Sequence, residues 1–212
     1  MDNFNNLIYF NFGKWGIGHP LWITGVSGDG KTKLSEAIYE NSNKSINIIS
    51  LDLFLTRLTC EEESFNKIRS EKNYIDNSLL FEYIDSHPEL PRGLKPMETD
   101  LLRYENEKDY FINLFKWIIN KSKKINKRVL VEGVDIFLYA SANWLYHEPV
   151  IIIKSPIFRL IKQRLNRRKI DNINLKENIN IEIEKIPIIR TEIKERNRLI
   201  RLMTKKYKEK KE

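Results

Sequence analysis

Cysteine is almost absent from this chain. Its 212 residues include one, Cys60, so no internal disulfide can form, and a reducing compartment suits it. Glu61, Glu62 and Glu63 follow Cys60, and acidic neighbours disfavour the thiolate that nucleophilic attack needs. The three histidines, His19, His87 and His147, show no metal-ligand spacing, and no Cys/His cluster exists for zinc. No apolar run approaches the ~20 residues that a membrane-crossing helix requires. A charged segment followed by an apolar export core is missing from the N-terminus, so a cytoplasmic protein is expected. There is no internal repeat and no low-complexity linker. Glycine is scarce too, at eight residues, but three of the eight fall at 25, 28 and 30. That clustering is the most informative thing about the sequence.

The run Gly25-Val26-Ser27-Gly28-Asp29-Gly30-Lys31-Thr32 fits G-x-x-x-x-G-K-[ST], the phosphate-binding P-loop. Glycines let the backbone turn tightly, so that successive N–H groups point at phosphate oxygens. Lys31 supplies a mobile cation for the β- and γ-phosphates, and Thr32 offers a hydroxyl to Mg²⁺. The following helix adds the positive end of its dipole. Gly25, Ser27, Gly28, Asp29, Gly30, Lys31, Thr32 and Lys33 are therefore the expected triphosphate-binding residues. The flanks agree. Leu21-Trp22-Ile23-Thr24 is a short apolar run with a β-branched end, bounded by Pro20 and Gly25, and it predicts a buried strand. Beyond the loop, Leu34, Ala37 and Ile38 recur at helical spacing until Asn41-Ser42-Asn43 stops the helix.

Further strands are predicted at residues 46–50, 128–133 and 150–153, with an extra edge strand within 7–12. Residues 57–86 read as irregular helix, and 105–121 as a helix with Phe111, Leu114, Phe115 and Ile118 on one face. The proline-rich stretch 87–96 must be loop. A basic helix is expected over 159–169, and a long charged helix from Pro187 to the end, since proline suits a first helical turn. Alternating strands and helices imply an α/β fold: a mostly parallel sheet with right-handed crossovers, flanked by helices, with a helical C-terminal extension. Residues 1–186 form the expected P-loop domain, and 187–212 a basic helix docked on it.

Ligands bind at the carboxyl ends of parallel strands. Three features fall there: the glycine-rich loop, Asp52 and Glu132. Asp52, just past the second strand, can accept the proton of an acceptor hydroxyl or orient it for in-line attack. Alternatively it caps the next helix. Glu132 closes an apolar strand where no aspartate stands; it can hold Mg²⁺ through a water, sharing the metal with Thr32, or bind the acceptor, or be a surface turn residue beside Gly133. Arg159, Lys162, Arg164, Arg167, Arg168 and Lys169 form a cationic strip able to close over ATP, or alternatively a solvated or nucleic-acid-facing surface. Arg159, Arg164 and Arg167 would stabilise charge on the migrating phosphoryl group, and Arg168 would hold the nucleotide. The acceptor pocket is expected from residues 54–104, near Arg57, Tyr74 and Arg92.

These stretches resemble the P-loop small-molecule kinases, and within them the uridine kinase group. The loop has the GxSGxGK[ST] form. Ser50-Leu51-Asp52-Leu53-Phe54 is similar to that group's S-x-D-x-F segment, in which the aspartate is the base for the acceptor hydroxyl. Val129-Leu130-Val131-Glu132-Gly133 is similar to its strand ending in Glu-Gly, and Arg159-Leu160 with the basic residues behind it resembles its arginine-bearing lid. Leu55 stands where a tyrosine usually follows the phenylalanine, and nothing between 57 and 127 matches the group's nucleoside-recognition residues. The resemblance implies a P-loop kinase fold that uses Mg-ATP. It leaves the acceptor open.

The formal net charge is +8. Much of this is compositional, with the functional share expected at the loop and lid. The C-terminal helix interleaves Glu192, Glu195 and Glu209 with its cations and lacks the aromatics of single-strand binders, so nucleic acid is not the expected partner. The expectation is a phosphotransferase moving the γ-phosphoryl group of ATP to a hydroxyl of a small nucleoside-like or sugar-like acceptor. The alternatives are a kinase of phosphorylated sugars or sugar-nucleotides, a partner-coupled P-loop ATPase, and a nucleotide-binding regulatory module without catalysis.

Overall fold

The computed structural model describes residues 6–70, 77–97, 100–140, 142–157, 159–161 and 186–209. Five strands form the main sheet: β1 (Leu7–Phe10), β2 (Leu21–Gly25), β3 (Ile46–Ser50), β6 (Arg128–Glu132) and β7 (Val150–Ile153). Their order is β1-β7-β2-β6-β3. The four strands from β7 to β3 run parallel, and β1 pairs antiparallel with β7 as the edge strand. Helices α1 (Lys31–Asn41), α2 (Leu51–Thr59), α3 (Glu62–Ser70), α4 (Ser78–Ser86) and α5 (Glu107–Ser122) connect them, with α6 (Asp135–Tyr139) and α7 (Ala142–Leu145) between β6 and β7. The C-terminal helix α8 spans Ile186–Glu209. The α/β architecture expected from the sequence is therefore present: a mixed, mostly parallel sheet flanked by helices, with a helical C-terminal extension.

The strands are apolar on both faces because both faces are covered. Side chains alternate across the sheet. Leu21, Ile23, Ile48, Leu130 and Ile151 meet Leu34, Ile38 and Tyr39 of α1 on one side. Trp22, Ile49, Val129, Val131 and Ile152 join the larger core on the other, with Phe54 of α2, Leu80 of α4, Phe111 and Phe115 of α5, and Leu199 and Met203 of α8. Trp22 is fully buried, edge-on to Phe115 and Trp144.

Three local readings change. The helical stretch 57–86 resolves into α2, which already begins at Leu51, and the separate α3 and α4. A two-stranded ribbon, β4 (Pro96–Met97) with β5 (Asp100–Tyr104), follows the proline-rich loop, a pairing too short to show as alternation. Helices α6 and α7, five and four residues long, were equally invisible to periodicity. No helix among the described residues is long and apolar enough to cross a membrane.

One glycine positions the site. The Gly133 N–H donates to Ile23 O at 3.2 Å, and Thr24 Oγ1 donates to Gly133 O at 2.9 Å, which fixes the end of β6 against β2. A Cβ on Gly133 would stand 2.5 Å from Leu51 Cβ. Glycine here lets the first turn of α2, and with it Asp52, sit against the end of β6. Gly133→Ala is expected to destabilise the fold by about 1–3 kcal/mol through overpacking, measured as a lower urea midpoint with an unchanged m-value.

Candidate active site

The parallel strands end along one edge, with Gly25 opposite Ile153, Ile23 opposite Glu132, and Ser50 opposite Glu132. The glycine-rich loop follows β2 there, Glu132 ends β6 there, and Asp52 comes two residues past the end of β3. Between β2 and α1 the backbone turns with Gly28 at φ 95° and Gly30 at φ 87°, left-handed conformations that glycine adopts without strain. Asp29 N–H donates to Val26 O at 2.9 Å, and Lys31 Nζ donates to the same carbonyl at 3.3 Å. Lys31 is buried beneath the loop, while Thr32 and Lys33 are exposed on the first turn of α1.

Asp29, expected to contact phosphate, turns its carboxylate into the scaffold. Oδ2 accepts the Val26 N–H at 2.6 Å and Oδ1 the Ser155 N–H at 3.2 Å. Oδ2 also meets Arg196 Nη1 of α8 at 3.3 Å, with both side chains almost fully buried. Burial raises the Asp29 pKa, and the Ser155 hydrogen bond and the Arg196 charge pull it back. Burial lowers the Arg196 pKa, against the opposing pull of Asp29. Gly25 leaves room for this arrangement, since a Cβ there would stand 2.7 Å from Asp29 Oδ2. Arg196 is one of the cations of the C-terminal helix that the sequence predicts to be basic. It is 2% exposed and buried against Asp29, a partner 167 residues away in sequence.

Glu132 ends β6 at 2% exposure. Its Oε1 accepts the Ser50 hydroxyl at 2.7 Å, and Thr32 Oγ1 lies 3.5 Å from its Oε2. Burial raises its pKa, Asp52 raises it further, and Ser50 and Lys31 oppose both. Asp52 itself is exposed, in the first turn of α2 behind the N-cap Ser50. Both Asp52 and Glu132 line a cavity of about 280 Å³, with Thr32, Ser50, Leu53 and Ile68 among its other walls.

Two acidic residues were missed by the sequence reading. Asp135, in the first turn of α6, is buried, and its pKa is driven well up by desolvation and then by the charges of Asp52 and Glu107. Its signal was its place, two residues past the Gly133 that ends an apolar strand. Glu107, buried at the start of α5, accepts the Tyr104 N–H at 2.7 Å and the Tyr139 hydroxyl at 2.5 Å. Desolvation and Glu107 together keep the Tyr139 phenol neutral.

Of the expected acceptor region 54–104, Thr56, Ile68 and Asn77 line the cavity of Asp52 and Glu132, whereas Arg57 and Arg92 do not. Arg57 donates to Pro91 O at 2.9 Å and Leu90 O at 3.3 Å, and Arg92 pairs with Glu62. Both line a different cavity of about 210 Å³, bounded by α2, α3 and α4. Arg159 is half-buried in a helical turn after β7. Tyr74, Lys162, Arg164, Arg167, Arg168 and Lys169 lie outside the described residues. Among the described residues no three His, Cys, Asp or Glu side chains form a metal cage. Thr32 and Glu132 do offer hard oxygens side by side. That donor set fits Mg²⁺, which takes one or two protein oxygens and completes its shell with water and substrate phosphates. The chain matches no protein-family model, no curated protein and no solved structure, so its chemistry rests on this geometry.

Two stability measurements follow. Arg196→Met strands a buried carboxylate and should cost about 3–5 kcal/mol in urea unfolding, whereas Asp29→Asn combined with Arg196→Met should recover most of that loss. A carboxyl with a raised folded pKa binds its proton more readily folded than unfolded, so stability is lost as pH rises above the unfolded value. Asp135→Asn should therefore raise stability at pH 7 by on the order of 1 kcal/mol, a gain that fades as pH falls toward the ordinary aspartate range. A gain that grew toward low pH would contradict the assignment.

Proposed function

We propose that the chain is a P-loop kinase, resembling the uridine kinase group, that transfers the γ-phosphoryl group of ATP to a hydroxyl of a small acceptor. The observation that carries this reading is the meeting of Thr32, the last residue of the glycine-rich motif, with Asp52 and Glu132 around one cavity at the carboxyl ends of the parallel strands. In this mechanism the loop amides and Lys31 hold the triphosphate. The acceptor lies in the cavity, and its hydroxyl oxygen attacks the γ-phosphorus in line. The new P–O bond forms as the bond to ADP breaks, and the hydroxyl proton passes to Asp52. Thr32 and Glu132 are the residues that would hold Mg²⁺, whose part is to neutralise phosphate charge.

The cavity also speaks to the acceptor. Its described lining includes two carboxylates, Asp52 and Glu132, and no lysine, arginine or histidine. Like charge disfavours a phosphorylated acceptor, so an uncharged nucleoside-like or sugar-like hydroxyl compound suits it better than a sugar phosphate or sugar-nucleotide.

The test is a panel of nucleosides, nucleotides, sugars and sugar-nucleotides with Mg-ATP, scored for acceptor-dependent ADP release. Lys31→Ala is expected to lose triphosphate binding or turnover. Asp52→Ala should retain binding and lose about 10²–10⁴-fold in transfer. Transfer that survives Asp52→Ala removes the base assignment. Hydrolysis that needs no acceptor and is stimulated by a protein or nucleic acid would favour the partner-coupled ATPase instead.

A further inference from the structure

Helix α8 places a carboxylate of the chain itself on the glycine-rich loop. Glu192 Oε2 accepts the Ser27 N–H at 3.0 Å, and Glu192 is 6% exposed. Three residues earlier, Ile189 packs with Val26 of the loop and with Leu160. Four residues later, Arg196 holds Asp29. Positions 189, 192 and 196 lie on one helical face, so α8 grips the loop along two turns. The two charged contacts differ in kind. Arg196 meets a carboxylate that already braces the loop from inside, through Val26 and Ser155. Glu192 meets a backbone amide of exposed Ser27, within the segment whose amides would receive phosphate.

We propose that Glu192 is a built-in competitor for the phosphate-binding loop, holding the Ser27 amide until a bound polyphosphate displaces it. The proposal rests on the reading of residues 25–32 as a triphosphate site and adds how that site is regulated. An incoming triphosphate brings negative charge to the loop. It must either move Glu192 aside or tolerate its charge, and both lower the apparent affinity. Arg196 stays with Asp29 and keeps α8 tethered, so the change is confined to the turn around residue 192. Docking of α8 and loading of the loop are then linked equilibria: whatever draws α8 off the loop raises nucleotide affinity, and nucleotide loosens α8 in return.

Glu192→Gln retains the shape and an oxygen acceptor for the Ser27 N–H while removing the charge. Calorimetric titration of the full chain with Mg-ATP, and separately with inorganic tripolyphosphate and Mg²⁺, should give about tenfold tighter binding in this variant than in the wild type, with the gap narrowing as salt is raised. Hydrogen exchange on the wild type supplies a measurement independent of the variant's folding. Mg-ATP should speed exchange of amides at 189–195 and leave 197–203 unchanged. Equal or weaker binding by Glu192→Gln, or unchanged exchange at 189–195 when Mg-ATP is bound, overturns the proposal. Wild-type and variant chains that both fail to bind either polyphosphate overturn the triphosphate reading itself, and the competitor with it.

Discussion

The carboxylate of Asp29 ties together three parts of the chain that are remote in sequence. It closes the glycine-rich loop on itself through Val26, joins it to Ser155 behind β7, and meets Arg196 on α8. A buried ion pair adds little net stability, because desolvation offsets most of the attraction. Its contribution here is positional. Removing either partner leaves an uncompensated charge in the interior, so the loop, the end of β7 and α8 hold one relative arrangement or lose it together. Gly25 follows from the same contact, because a side chain there would occupy the space that Asp29 fills.

On the other side of β2 the constraint is crowding of acids. Glu132, Asp135 and Asp52 share a small volume, and Glu107 stands behind Asp135. Lys31 lies within electrostatic reach of both Glu132 and Asp135 and opposes the rise of their pKa values. Such a site favours ligands that bring positive charge or a shared proton, and resists anions other than those held by loop amides. This asymmetry separates the two halves of the proposed reaction. In that proposal the loop amides would take the polyphosphate and the acid-lined cavity the uncharged hydroxyl compound. Gly133 holds the halves in register by letting Leu51 approach the end of β6.

What could be read from the sequence was local. The strands at 21–25, 46–50, 128–132 and 150–153 stand out because burial on both faces makes them continuous apolar runs. The glycine-rich loop is legible because its backbone conformation demands glycine at fixed spacing, and Gly28 and Gly30 do take left-handed φ values. Asp52 and Glu132 were found because position at a strand's carboxyl end is itself a signal. The contacts of Glu192 and Arg196 were not, since nothing local separates them from the other charges of a long helix and their partners lie 165 and 167 residues upstream. Arg57 and Arg92 line a second cavity, apart from the one that holds Asp52 and Glu132, a separation that nothing local in the sequence shows. Arg57 holds the backbone of the proline-rich loop.

The central claim is that residues 26–32 grip a triphosphate tail and direct its end toward Asp52. Amide chemical shifts of the isotope-labelled chain, followed as Mg-ATP is added, test this most directly. The account predicts saturable shifts centred on Gly28, Gly30, Lys31 and Thr32, with smaller ones at Ser50, Asp52 and Glu132. A titration that leaves the 26–32 amides unmoved, or that moves only residues elsewhere on the molecule, would contradict it.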